Sequence, residues 1–269
     1  MTGRPAGALV LLDDAAEAVG RLGPATGLLW ITALPSRFLL AFLLSRLIEL
    51  GPKSTSYGEY FTHLAYLFLA AWLFSLWGRQ AFVRACRGAL QDGGAQPPLA
   101  WTRIPPAELA SYLLAALAVE ALFWGLLLTA VAPVALLVVA GLLAAVPARP
   151  GELLASPLRG LAEGSGSLRT LFRLLLVFGL LLLFAGLNLH LFLQAGLWVA
   201  AGTAAVDLSA WSTVLSPFNP LYQILLITGA CLLLEPFWLA ALTSHVERTR
   251  ARKSGDDLRR WFAGLEAGK

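Results

Sequence analysis

Charge is scarce in this chain. Of 269 residues, 13% are charged, against about a quarter in an ordinary soluble domain. Cysteine is scarce as well. Cys86 stands in a polar stretch and Cys231 in an apolar run; residues expected at different depths do not form a disulfide. There are 3 histidines. His63 and His190 are expected on one side of a membrane and His245 on the other, which excludes a three-histidine metal site. No H-E-x-x-H, C-x-x-C or G-x-x-x-x-G-K-[ST] occurs. The glycine-rich "EGSGS" at 163–167 follows no strand and reads as a linker. A Ser–His–Asp set can be assembled from His63 or His190, Asp207 and Ser209 or Ser212, but no spacing demands it. Alternating ten-residue segments are absent, which excludes a membrane barrel. No small-residue cleavage site follows "GALVLLDDAAEAV", so no cleavable leader is expected. No convincing internal repeat exists, which argues against an inverted-repeat transporter.

What is abundant is apolar sequence. Hydrophobic residues make up 58% of the chain, and mean hydropathy is +0.72. They cluster in runs near the ~20 residues that a helix needs to cross ~30 Å of hydrocarbon. The fold class is therefore all-α, a polytopic membrane bundle of about six spans with amphipathic surface helices at both ends. The spans are expected at 27–50, 61–77, 109–129, 133–146, 171–193 and 221–244. The third and fourth form a tight hairpin. Residues 1–26 make a cytoplasmic N-terminal segment, 27–244 the transmembrane domain and 245–269 a cytoplasmic basic tail. Between the spans, "GPKSTSYGE" is a short polar turn, 78–108 a Pro-rich loop, and 148–169 a polar loop with a short surface helix. The stretch from Gln194 to Pro220, bearing Trp198 and Trp211, reads as an in-plane interfacial segment, the zone that tryptophan favours.

In "ALVLLDDAAEAVGRL", residues 8–22, Leu11, Ala15, Ala18 and Leu22 share one face, while Asp14, Glu17 and Arg21 share another. This helix is expected on the membrane surface, ended by Gly23-Pro24. The pI near 9.4 is explained by topology, not by nucleic acid. With both termini assigned to the cytoplasm, Lys53 is the sole cation outside, Arg37 and Arg46 lie within the first span, and every other one of the 20 lysines and arginines falls inside.

Three charges fall in the apolar interior. Arg37, Glu120 and Glu235 each lie ~14–17 Å from the cytoplasmic end of their span at ~1.5 Å per residue, near the bilayer middle. An unpaired charge there is costly, so mutual compensation is expected: Glu235 meets Arg37, directly or through a network with Glu120. A protonated, neutral Glu120 is the alternative. Thr228, Cys231 and Glu235 form a small or polar stripe at helical spacing. The network reads as a structural clamp that fixes helix packing, or else as a proton or ion path. A second polar group, Arg46, Glu49, His63, Asn188, His190 and Gln194, reads as interfacial, with a small periplasmic binding site as the alternative.

At the tail, Arg248, Arg250, Arg252 and Lys253 abut the last span and are expected to contact anionic lipid. Beyond Gly255, Asp256 and Asp257 suit a helix N-terminus. Leu258, Trp261, Phe262 and Leu265 then form an apolar stripe that lies on the membrane or docks a cytosolic partner.

"PFWLAA" at Pro236–Ala241, followed by Arg248, Arg250, Asp257-Leu258 and "WFAGL", resembles the end of an uncharacterised bacterial inner-membrane family. The opening "DDAAEAVGRL" and the "ALP" of Ala33–Pro35 are similar to its start. The resemblance covers both chain ends, and the tail departs from the family's pattern at Arg252, Ser254 and Asp256. Genes of that family often lie beside MoxR-type AAA+ ATPases, von Willebrand factor A-domain proteins and transglutaminase-like proteins. It implies an accessory membrane role, with a cytosolic AAA+ ATPase or other membrane subunits as partners. The expected function is thus a scaffold or accessory subunit in the bacterial inner membrane, without cofactor and not an enzyme. A small transporter or channel subunit using the midplane charges is the rival, and a membrane-embedded enzyme ranks last.

Overall fold

In a computed structural model, residues 7–51, 58–92, 100–125, 168–204 and 209–255 are described. Among them there are helices and turns but no strand. Helix α1 is Ala8–Arg21, α2 Gly23–Leu50, α3 Gly58–Asp92, α4 Pro106–Gly125, α5 Leu168–Ala204, α6 Ser209–Val214 and α7 Pro220–Ser254. Four stretches are long and apolar enough to cross a membrane: Gly23–Leu47, Gly58–Leu90, Arg169–Thr203 and Pro220–Arg252. They coincide with the first, second, fifth and sixth expected spans. The third falls on α4, which runs from Pro106 to Gly125. The fourth, at 133–146, lies outside the described residues, as do the expected surface helix near 151–167 and the tail helix beyond Gly255.

The structure corrects several boundaries, always in the same direction. Residues 78–92 were expected in a loop, yet α3 runs through them to Asp92. Their sequence explains this. Ala81, Phe82, Ala85 and Cys86 recur at helical spacing and are buried, and no proline interrupts them before Pro97. Likewise 194–204 continue α5 instead of lying in the membrane plane, and α7 runs ten residues past the expected end of its span, from Ser244 to Ser254. Helix ends are set where the chain changes conformation. Gly51 (φ 49°) follows α2 and Gly255 (φ 74°) follows α7, both in the left-handed region that glycine tolerates at a helix C-terminus. At the start of α7, Asn219 Oδ1 accepts from the Leu221 amide at 3.0 Å, capping a helix whose first residue is Pro220.

The chain divides into two compact units: Leu28–Gly78 with Val177–Glu235, and Met1–Gly27 with Arg79–Leu176 and Pro236–Lys269. In the first of these, α2 packs through Leu29, Thr32, Ala33 and Ser36, all buried. Its hydroxyls bond to their own helix: Thr32 Oγ1 donates to the Leu28 and Leu29 carbonyls at 3.0 Å and Ser36 Oγ to the Ala33 carbonyl at 2.8 Å. Helix α3 approaches so closely at Gly78 that a methyl group there would overlap Thr32 Oγ1. Large apolar residues remain exposed along α5, among them Leu180, Leu183, Phe184, Leu187, Leu191 and Phe192, as expected of a helix facing lipid.

In the second unit the apolar face of α1 is covered. Leu11, Ala15 and Ala18 are buried, while Leu9 and Val10 are exposed. Protein covers that stripe, and on the polar face Asp14 ties α1 to α7. Helix α7 is buried on all sides from Leu239 to Val246, as a central helix must be.

Candidate functional site

Arg37, on α2, and Glu235, on α7, meet: Arg37 Nη2 donates to Glu235 Oε1 at 3.4 Å. The Glu235 side chain is 9% exposed and that of Arg37 31%. Two helical turns before Arg37 the same two helices are joined again, Trp30 Nε1 donating to the Leu232 carbonyl at 3.0 Å. Pro35 and Pro236 lie inside α2 and α7, and both helices run on through them. Among the described residues the buried Arg37 Nε has no acceptor. Cys231, one turn before Glu235 on α7, is exposed. The third member of the expected network, Glu120, lies in α4; contacts of its side chain fall outside the description.

The other expected polar group is engaged in separate local contacts. Arg46 pairs with Glu49 at 2.8 Å and lies 5.2 Å over the Phe42 ring. Asn188 Nδ2 donates to the Phe184 carbonyl one turn back. His190 Nδ1 lies 2.7 Å from the Tyr222 hydroxyl, and Gln194 Nε2 donates to the Leu215 carbonyl at 2.8 Å. Those last two contacts tie α5 to the start of α7 and to the turn before it. Among the described residues no three His, Cys, Asp or Glu side chains gather as a metal site.

Sequence reasoning missed a set of ion pairs among the helix extensions. Arg84 on α3 pairs with Glu108 on α4 at 2.7 Å. Arg87 on α3 pairs with Glu247 on α7 at 3.3 Å, and Arg250 approaches the same carboxylate at 3.5 Å. Asp14 of α1 accepts from Arg248 Nε at 2.8 Å and Nη2 at 2.9 Å, a two-pronged contact, and from Ser244 Oγ. Arg248, expected at anionic lipid, is thus held by Asp14 with its side chain still 44% exposed. Arg250 is engaged with Glu247, Arg252 is exposed, and Lys253 lies in the last turn of α7. One signal pointed this way: Arg84 and Arg87 are three apart and share a helix face once the loop reading of 78–92 is dropped.

No family model matches the chain, and neither a curated protein nor a solved structure matches it.

Proposed function

We propose that this chain is a six-span inner-membrane protein with both termini in the cytoplasm, serving as a scaffold or accessory subunit of a membrane-associated complex. The observation that carries this reading is the use made of its acids. Asp14, Glu108, Glu235 and Glu247 each meet an arginine on a different helix. Charge here joins helices, which is what a framework needs and what fixes one packing arrangement among apolar alternatives. The cytoplasmic assignment rests on the lysine and arginine asymmetry. Arg250, Arg252 and the open side of Arg248 then face the anionic inner leaflet. The resemblance of the chain ends suggests a cytosolic AAA+ ATPase or other membrane subunits as partners, and no catalysis is assigned to this chain.

A transporter or channel subunit is the second reading, favoured by the Arg37 Nε that lacks an acceptor among the described residues, next to a carboxylate within an apolar span. Purification in mild detergent followed by mass spectrometry separates the two. The scaffold reading expects partner subunits in fixed ratio. A chain that purifies alone and, in proteoliposomes, dissipates a proton gradient in a Glu235-dependent manner would overturn it.

A further inference from the structure

A proline inside a helix leaves the carbonyl four residues earlier without its amide donor. For Pro236 of α7 that carbonyl belongs to Leu232. It is the carbonyl that Trp30 of α2 reaches, its Nε1 donating at 3.0 Å. Trp30 and Leu232 lie in the same compact unit. The indole therefore supplies, from a neighbouring helix, the donor that the α7 backbone lacks. In hydrocarbon no water takes that place, and an open carbonyl is costly. An indole has a single polar hydrogen and no acceptor, and here it is spent on the carbonyl that the proline leaves open. Three residues on from Leu232, Glu235 receives Arg37 of the same helix α2 at 3.4 Å, so α2 grips α7 twice within the turn that precedes Pro236. The proline ring itself is fully buried.

We propose that Trp30 is a latch on α7: its indole N–H stands in for the amide missing at Pro236 and holds α7 in one conformation across the proline. Sharp kinks in long helices fall at prolines, where one backbone bond is already absent. With the Leu232 carbonyl satisfied from α2, the joint is stiff while Trp30 is in place and pliant once it withdraws. The device gives α7 two states, latched and released, and their balance is set by how closely α2 lies against α7 at Trp30. The latch goes beyond the accessory role and does not depend on it.

The test uses the full chain in lipid nanodiscs and amide hydrogen exchange over Leu233–Ala241, the backbone that opens when α7 flexes at the proline. Trp30→Phe keeps an aromatic ring and removes the donor. It should raise exchange there about threefold, the size of an average hydrogen bond between membrane helices. Pro236→Ala restores the backbone amide, so the Leu232 carbonyl no longer needs the indole. In that background Trp30→Phe should leave exchange nearly unchanged, a coupling that a packing role for the ring would not produce. A tryptophan analogue at position 30 with sulfur in place of the ring N–H keeps the shape and discards the donor alone. It should raise exchange as Trp30→Phe does. The proposal is overturned if Trp30→Phe leaves exchange unchanged in the otherwise unmodified chain. It is overturned equally if the effect of Trp30→Phe is the same with and without Pro236→Ala, or if the sulfur analogue behaves like the unmodified chain. If Pro236→Ala fails to fold, the sulfur analogue in the otherwise unmodified chain still decides.

Discussion

Glu235→Gln, Arg37→Gln and the combination of both form a cycle that asks whether the two charges compensate each other. Each single change leaves one charge in an apolar span. For a fully buried pair that costs about 3–5 kcal/mol. Here the contact is 3.4 Å long and the Arg37 side chain is 31% exposed, so a smaller loss, about 2–3 kcal/mol, is expected for each single change. In the double variant both charges vanish, and the loss should fall short of the summed singles by about 1–2 kcal/mol. Unfolding in mixed micelles by added sodium dodecyl sulfate, followed by helicity, supplies the free energies. Losses that add within about 0.5 kcal/mol would refute the pairing as an energetic fact. The same cycle between Arg37 and Glu120 would then show whether Glu120 takes the role.

Gly78→Ala places a methyl group against Thr32 and should destabilise the chain by about 1–3 kcal/mol, with Thr32→Ala in the same chain recovering part of the loss in the same unfolding assay. Asp14→Ala removes the two-pronged contact to Arg248 and the bond from Ser244. Discounted for the exposure of Arg248, it should cost about 1–2 kcal/mol, read as faster amide exchange across α1. High salt should weaken α1 protection in the unmodified chain more than in the variant. Asn219→Ala deletes the cap on α7 and should cost about 1 kcal/mol, seen as faster exchange in the first turn of α7 but not near Glu235.

Four of the expected spans coincide with helices long and apolar enough to cross a membrane, because an apolar run of membrane length leaves few alternatives. Counting residues from the span ends put Arg37 and Glu235 at one depth, and the structure has them in contact. Helix ends were not readable in the same way. Hydropathy marks where a chain leaves hydrocarbon, but backbone hydrogen bonding does not stop there, so α3, α5 and α7 run on through Arg84, Trp198 and Arg248. The ion pairs of those extensions were hidden for a related reason. Asp14 and Arg248 are 234 residues apart, and no local spacing announces such a partner. Reading 78–92 as a loop also removed the helix face that aligns Arg84 and Arg87. The amphipathic stripe of α1 was identified correctly, but periodicity shows which face is apolar, not what covers it.

The central claim is that the chain crosses the membrane with both termini in the cytoplasm, and reporter fusions test it most directly. Fusions after Lys269, within the turn at Lys53 and at Ala132 between the third and fourth expected spans should read inside, outside and outside. Lys53 and Lys269 reporting from the same side would contradict the account.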